Sequence, residues 1–393
     1  MRAAVRRRNF RKNARRSPAR FPGERLAPRR RGASVHLPSP KIMRVLLLAA
    51  LSVAPMASLA CQSRDAVPSA QRGLGGLTPE VRRGLETITA ADVKRRVEII
   101  ADDSMGGRDT PSRGLEATAR YIAAEFQRFG LSPAGDGGTF IQRYPIPGGR
   151  PGPQRTTAPN VVGLLEGSDP VLKNEYIVLS AHMDHVGVGA PVNGDSIYNG
   201  ADDDASGTAG VVELAEALSR PGARPKRSVL FLTVSGEEHG LWGSAWFSDH
   251  PPAPISQLVA NLNIDMIGRN WKDTIVVIGK EHSDLGATLN RVNRAHPELG
   301  MNAIDDLWPE ENFYFRSDHY NFARRGVPAV FFFNGTHRDY HGPDDEPNLI
   351  DAEKEARIVR LVYLIAQEVG NAPQKPVWNP ESYKKIVRPQ TRD

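Results

Sequence analysis

The stretch EYIVLSA, residues 175–181, is an apolar run of strand length, and His182 and Asp184 follow it almost directly. A short apolar run of this kind predicts a strand that is buried within a sheet. Two side chains that bind metals or exchange protons therefore stand at the carboxyl end of a predicted buried strand. The other predicted strands can be examined for polar residues in the same position.

Similar runs alternate with helical patterns along the chain. Strands are predicted at NVVGLLEG (160–167), SVLFLTV (228–234), LVANLNI (258–264), TIVVIG (274–279) and PAVFFFN (328–334), and a shorter one at TFIQRYPI. Helices are predicted over Thr208–Arg220, Ser283–His296 and Ala352–Val369, and earlier within ITAADVKRRVEIIA, capped by Thr89, and within SRGLEATARYIAAEFQRFG. This alternation predicts an α/β fold: a mixed, mostly parallel central sheet with helices on both faces, preceded by N-terminal helices.

Polar residues follow the other predicted strands as well. Glu237 and Glu238 come shortly after SVLFLTV, Asp265 directly follows LVANLNI, and His341 lies a few residues beyond PAVFFFN. Ligands of open α/β sheets bind beyond the carboxyl ends of the strands, so these residues could meet at one site. Carboxylates gathered in this way repel one another and are costly to desolvate unless cations neutralise them. Mixed nitrogen and oxygen ligands suit zinc best, with manganese or cobalt as substitutes.

The segment NGADDDASG, residues 199–207, adds three consecutive aspartates, Asp202 to Asp204, in a turn before a predicted helix. An acidic triplet by itself is typical of a solvated loop. Beside the polar strand ends, it provides further carboxylates for the same site.

Five segments carry a resemblance to a known family: SAHMDHVG, GADDDASG, SGEEHGLWGS, NIDMIGR and DYHGPDD. In order and approximate spacing they resemble the signature segments of the co-catalytic di-zinc aminopeptidases of peptidase clan MH, of the aminopeptidase Y and bacterial leucyl aminopeptidase type. The resemblance covers roughly residues 90–370 and implies the zinc-dependent exopeptidase fold. Because five segments match in order, the resemblance is far more specific than any one of them.

The resemblance implies a set of metal ligands. His182 and Asp265 would bind one zinc ion, and Glu238 and His341 would bind a second. Asp203, the middle residue of the triplet, would bridge the two ions.

It also implies roles for the neighbouring residues. Asp184 would accept a hydrogen bond from the N–H of His182, on the ring nitrogen that does not bind metal. Glu237 would be the general base, and Tyr340 would donate a hydrogen bond to the oxyanion. Asp202 and Asp204 would make supporting hydrogen bonds or cap the next helix. The implied reaction is hydrolysis of the N-terminal peptide bond by a water activated between two metal ions, and the substrates would be peptides with a free N-terminus.

Three other functions are compatible with parts of this pattern. Glutaminyl cyclases keep a similar ligand set around a single zinc ion, but they usually have Trp before the last histidine, where this chain has Tyr340. Carboxypeptidases that act on acidic dipeptides usually add further domains, for which we see no room. A receptor-like binding protein would have lost metal ligands, whereas this chain retains them all. Gly342, where Thr is common, is a small departure from the family pattern.

Further histidines lie near the matched segments. We expect His185, His239, His319 and His337 to line or support the site rather than to bind metal.

Charge is distributed unevenly along the 393 residues. The chain contains 51 Lys and Arg and 45 Asp and Glu, but residues 1–60 hold 15 of the basic residues and a single acid. Residues 61–393 therefore carry 36 basic and 44 acidic side chains, a net charge of −8. An acidic body excludes the nucleic-acid partner that the overall pI of about 9.4 would suggest.

The N-terminal region predicts export. The segment from Met43 to Cys61 has the pattern of a signal peptide and is too short for a membrane span of roughly 20 residues. SLAC resembles a lipobox, so Cys61 is a candidate lipid-attachment site, and the protein is expected in the periplasm, at the outer membrane as a lipoprotein, or secreted. We expect the following organisation: 1–42, a disordered Arg-rich extension or a start assigned too early; 43–61, signal peptide; 62–84, linker; 85–371, metallopeptidase domain; 372–393, C-terminal tail.

Overall fold

The computed structural model describes residues 76–148 and 156–388. Our predictions for the Arg-rich extension, the signal peptide and lipobox, and most of the linker lie outside the described residues. Within the described residues, no helix has the length and apolar character needed to cross a membrane.

A nine-stranded sheet forms the centre of the described chain, in the order β1-β3-β7-β4-β8-β11-β9-β10, with β2 also paired to β3. A separate hairpin consists of β5 and β6. The strands are β1 (Ser132–Pro133), β2 (Ile141–Pro145), β3 (Thr157–Leu165), β4 (Tyr176–His182), β5 (Gly187–Val192), β6 (Asp195–Tyr198), β7 (Ser228–Val234), β8 (Leu258–Ile264), β9 (Thr274–Ile278), β10 (Asn302–Ile304) and β11 (Ala329–Phe332).

The middle of this sheet is parallel. Strands β7, β4, β8 and β11 run in one direction, whereas β3 and β9 pair antiparallel with its two sides. Every residue of β7 and β8 is buried, as in a sheet that is covered on both faces. The predicted mixed, mostly parallel central sheet is confirmed.

Helices cover both faces of the sheet. They are α1 (Pro79–Glu86), α2 (Ala90–Ile100), α3 (Arg113–Arg128), α4 (Gly207–Leu218), α5 (Trp242–Asp249), α6 (Leu285–Ala295), α7 (His319–Ala323), α8 (Ala352–Asn371) and α9 (Pro380–Ile386). Alternate residues of β4 point to opposite faces of the sheet and pack in different cores. Ile177 and Leu179 belong to the large core that includes α3, α4 and α8, whereas Val178 packs in a second core with Phe247 of α5 and Phe322 of α7.

Local signals account for the helix starts. The side chain of Thr89 accepts a hydrogen bond from the Asp92 amide at the start of α2, as predicted, and that of Ser112 accepts one from Leu115 at the start of α3. Such caps satisfy amides that have no partner within the helix. Strands β7 and β8 have the bounds of the predicted runs at 228–234 and 258–264.

Two helices lie in segments where we expected none. Helix α1 begins within the predicted linker and ends two residues beyond it; it has Thr78 as N-cap, Pro79 in its first turn and a buried Leu85. Helix α9 falls within the predicted tail, where Asn379 caps it and Pro380 begins it. Both starts combine a capping residue with a proline, a pattern that favours helix initiation and that the apolar periodicity of such short segments does not show.

Candidate metal centre

The carboxyl ends of three neighbouring strands define the candidate site. His182 is the last residue of β4, and Asp265 follows β8, its neighbour in the sheet. Glu237 and Glu238 lie just beyond β7, which pairs with the other side of β4. Because these strands are parallel, their polar ends meet at one edge, as the sequence predicts.

Asp203 stands between two groups of side chains. Its Oδ1 lies 3.2 Å from His182 Nε2, which is 3.6 Å from Asp265 Oδ1. Its Oδ2 lies 3.1 Å from His341 Nε2, which is 3.0 Å from Glu238 Oε2. The structure therefore brings all five predicted ligands together, in two groups that share one carboxylate.

The turn Ala201–Ser206 presents this carboxylate. The Asp345 carboxylate accepts hydrogen bonds from the amides of Asp202 and Asp203, at 3.0 and 3.1 Å. The Asp204 carboxylate accepts bonds from three backbone amides, those of His182, Met266 and Gly207, the last of them at the start of α4.

The other members of the triplet thus have supporting positions. Asp204 lies close enough to His182 and Asp265 to form a metal-binding group with them, but backbone amides already occupy its oxygens. The Asp202 carboxylate accepts a bond of 2.6 Å from the Gly268 amide. Asp203 is left as the member whose side chain faces the predicted ligands.

The orientation of His182 differs in detail from our expectation. Its Nδ1 is 3.2 Å from the backbone carbonyl oxygen of Asp184, whereas the Asp184 carboxylate is 3.7 Å away. A carbonyl only accepts, so this contact places the proton on Nδ1 and leaves the Nε2 lone pair directed at Asp203. The Asp184 carboxylate instead accepts bonds from the amides of Gly236 and Glu237, and so supports the turn that carries the predicted base.

Glu237 lines a small cavity together with three of the five predicted ligands. These are His182, Asp203 and Asp265, and Tyr340 lines the same cavity. Burial raises the pKa of Glu237 well above its ordinary value. A carboxyl group that holds its proton more tightly than usual suits general acid and base chemistry near neutral pH.

Tyr340 and several apolar side chains complete the cavity. The Tyr340 ring stacks on His341 with centroids 3.9 Å apart, and burial raises the pKa of its phenol. The cavity is also lined by apolar side chains, those of Met266, Phe313, Phe331 and Phe333, and by Arg316, Ser317 and Thr336. Apolar and charged surfaces therefore meet in one cleft.

The electrostatics of the two groups fit bound cations. Burial would lower the pKa of His341, but contacts with Asp203 and Glu238 raise it to about 10. Burial raises the pKa of Asp265, and it would raise that of Asp203, which the adjacent His182 and His341 bring well below its ordinary value. Buried like charges of this kind are costly, and divalent cations would neutralise them.

The donor atoms lead to the same conclusion. Glu238 Oε1 is buried without a hydrogen-bond partner, and the Nε2 atoms of His182 and His341 face carboxylates. Carboxylate oxygens with imidazole nitrogens are the donor set that zinc accepts, and manganese and cobalt accept it too. The residues present therefore fit a metal centre.

Among the further histidines, His185 lies closer to the site than we expected. It groups with Asp203, Glu238 and His341, and its Nδ1 is 2.8 Å from Glu238 Oε1. Its position three residues after His182, in a loop that follows a buried strand, was the available signal. Asp345 was missed as a support, although it lies in the segment DYHGPDD.

The other three histidines lie away from the predicted ligands. His239 is partly exposed and contacts Asp109, and His319 is buried against Phe331. His337 lies 3.4 Å from Asp202, behind the turn that carries Asp203.

Fold and site together define a class: an α/β protein with a centre of histidines and carboxylates at the carboxyl ends of its parallel strands. The sequence model of peptidase family M28 matches residues 160–366, more than half of the chain. The chain belongs to peptidase family M28.

Individual relatives are more distant. A probable zinc metalloprotease of Leptosphaeria maculans is 25% identical over 356 residues, which cover 77% of this chain and 80% of that protein. Aminopeptidase YwaD of Bacillus subtilis is 22% identical over 245 residues, 60% of this chain and 49% of its own length. The solved structure of an aminopeptidase from Aneurinibacillus sp. strain AM-1 aligns with a TM-score of 0.57 at 16% identity, covering 76% of this chain and 98% of that one. At this identity the structural likeness shows the fold alone.

Proposed function

We propose that this protein is a zinc-dependent aminopeptidase that binds two zinc ions and hydrolyses the first peptide bond of peptides with a free N-terminus. The observation that carries the proposal is the position of Asp203, with one oxygen toward His182 and the other toward His341. His182 and Asp265 would hold one ion, Glu238 and His341 the other, and Asp203 would be common to both. The names of the relatives, a zinc metalloprotease and an aminopeptidase, support the same function.

The chemistry divides between the ions and the chain. Zinc, when bound, lowers the pKa of water and polarises a carbonyl group. Glu237 would take the proton of the attacking water and transfer it to the departing amine, a role that its place in the cavity and its raised pKa support. The Tyr340 hydroxyl would donate to the oxygen that gains negative charge.

The cavity also supports a class of substrate. The apolar lining of Met266 and phenylalanines would hold an apolar first side chain, which gains by leaving water. We propose that apolar N-terminal residues are released fastest.

We also propose that the protein is exported, with or without a lipid at Cys61, because the segment from Met43 has the pattern of a signal peptide.

The test is hydrolysis by the purified full chain. Leucyl, phenylalanyl, glutamyl, lysyl and glutaminyl p-nitroanilides are compared with N-acetyl-leucyl p-nitroanilide, with and without a chelator and restored zinc. We expect chelator-sensitive release from the free amines, fastest for leucyl or phenylalanyl substrates, and none from the acetylated control. Equal cleavage of the acetylated substrate would contradict an aminopeptidase, and pyroglutamate formed from the glutaminyl substrate alone would identify a glutaminyl cyclase.

A further inference from the structure

His185 is a fully buried histidine beside the candidate centre. It lies beyond β4, three residues after His182, and its Nδ1 is 2.8 Å from Glu238 Oε1 and 3.7 Å from Asp203 Oδ2. Neither of its ring nitrogens has a hydrogen-bond partner, and neither has Glu238 Oε1. His185 Nδ1 and Glu238 Oε1 are therefore within hydrogen-bond distance but outside hydrogen-bond geometry, and because buried polar atoms are nearly always paired, this contact calls for a physical explanation.

The surroundings hold the His185 ring in place. Gly200 packs directly against it, with a backbone φ of +56°, and a Cβ atom at Gly200 would lie 2.4 Å from the His185 Cγ. The buried guanidinium of Arg108 donates hydrogen bonds to the carbonyls of Met183, Asn199 and Gly200, and the Arg108 carbonyl accepts one from the His185 amide. The ring is therefore packed between the loop after β4 and the turn that leads to Asp203.

We propose that His185 is a positioning residue: with zinc bound, its Nδ1–H, which lies 2.8 Å from Glu238 Oε1, would donate to that oxygen and so direct Oε2 toward the metal ion beside His341. The inference rests on the proposed function. Glu238 Oε2 is 3.0 Å from His341 Nε2, whereas Oε1 faces His185. A carboxylate without this partner could rotate and offer either oxygen, so the contact would decide which one binds the ion.

A role as hydrogen-bond donor agrees better with catalysis than a role as metal ligand. Asp203, Glu238 and His341 would supply three protein ligands to this ion. Catalytic zinc sites have three protein ligands and keep a position open, whereas four protein ligands make a closed structural site. A neighbour that orients a ligand is typically worth 10–100-fold in metal affinity.

Three substitutions separate the possible roles of the ring. Asn at position 185 places an amide N–H near the site of Nδ1, Gln carries its amide farther out, near Nε2, and Phe keeps the ring without nitrogen. His239→Asn is a matched control, because His239 follows Glu238 directly but its ring contacts Asp109 at the partly exposed edge of the site. For each full-length protein, zinc retained per chain is measured by elemental analysis after equilibration with graded chelator, together with the thermal unfolding temperature of the zinc-free form.

We expect wild type, His239→Asn and His185→Asn to retain zinc alike, within about threefold. In His185→Phe and His185→Gln, one of the two ions should be lost at a chelator concentration about 10–100-fold lower than in the wild type. If His185→Phe retained zinc as the wild type does, the inference would be overturned and the proposed function would stand. Equally weak zinc binding in the Asn and Phe variants would also overturn the inference and leave the proposed function standing, because it would indicate that His185 is itself a ligand. Should the Phe variant not fold, equal zinc retention by the Asn and Gln variants would overturn the inference. A wild type that binds no zinc would overturn both proposals.

Discussion

Asp345 holds the main chain of Asp203: its Oδ2 accepts a hydrogen bond of 3.1 Å from the Asp203 amide. The same carboxylate accepts a bond from the Asp202 amide, and the Asp345 carbonyl accepts one from the amide of Ala201. His341 precedes Asp345 by four residues in the same loop. One loop therefore carries a predicted ligand and also fixes the turn that presents the shared carboxylate.

Replacing Asp345 by alanine should weaken zinc binding about 10–100-fold, because the turn that carries Asp203 loses its anchor. Two buried amides would lose their acceptor, which should lower the free energy of unfolding by about 1–3 kcal/mol per unsatisfied amide. Chelator competition measures the first effect and urea unfolding of the zinc-free protein the second. Asp344→Ala removes the adjacent exposed carboxylate and is the matched control. Equal zinc retention in the Asp345 and Asp344 variants would refute the anchoring role.

Replacing Glu237 by glutamine should lower kcat by about 10²- to 10⁴-fold while the bound zinc stays unchanged. Glutamine has nearly the same shape as Glu237 but cannot take up or return a proton. Steady-state kinetics on leucyl p-nitroanilide, with elemental analysis of the same sample, provides the measurement. Glu238→Gln is the informative neighbour, since there we expect the loss of zinc itself. A Glu237→Gln enzyme with kcat near the wild-type value would rule out Glu237 as the base.

Removing zinc should abolish hydrolysis and lower the unfolding temperature together. The buried carboxylates of Asp203 and Asp265 would then repel one another without cations to neutralise them. Free zinc at 100 times the dissociation constant stabilises a native protein by about 2.7 kcal/mol per site. Unfolding temperatures recorded across zinc buffers of increasing free concentration should rise in step with activity. An unfolding temperature that does not respond to free zinc would contradict a metal centre within the folded domain.

Much of the candidate centre could be predicted from the sequence because strands and ligands share one geometric rule. The apolar runs before His182 and Asp265 had to form buried strands, and parallel strands end at one edge of a sheet. The triplet and His341 were noticed beside these strand ends, but the assignment of Asp203 and His341 as ligands came from the resemblance, since a turn and a long loop obey no such rule. The approach of His341 to Asp203 is therefore seen only in the structure.

The details that could not be predicted concern which atom of a residue contacts its neighbour. Spacing placed Asp184 two residues after His182, but only the structure shows that its carbonyl faces the imidazole and its carboxylate faces the next turn. His185 resembles any other histidine near a site until its burial and its distance to Glu238 are known. Side-chain contacts between distant segments leave no repeating pattern in the sequence from which they could be predicted.

His319 should make the protein sensitive to acid. Its ring is fully buried between Phe331 and Tyr314, with centroids 4.6 and 4.9 Å away, and burial lowers its pKa to about 3. The pKa of an unperturbed histidine is about 6.5. Between these values the unfolded chain binds a proton that the native protein does not, so the stability present above pH 6.5 is lost as the pH falls toward 3, by up to about 1.4 kcal/mol per pH unit.

His319→Phe removes this titration but keeps an aromatic ring in the stack. The free energy of unfolding of this variant, minus that of the wild type, should therefore grow as the pH is lowered from 6.5 to 4. Urea unfolding is measured at each pH in the presence of chelator, so that zinc release does not contribute. Phe331→Leu disturbs the same stack without removing a titrating group, and its difference from wild type should stay constant over that range. If the His319→Phe difference were equally constant, the buried imidazole would not be a source of acid sensitivity.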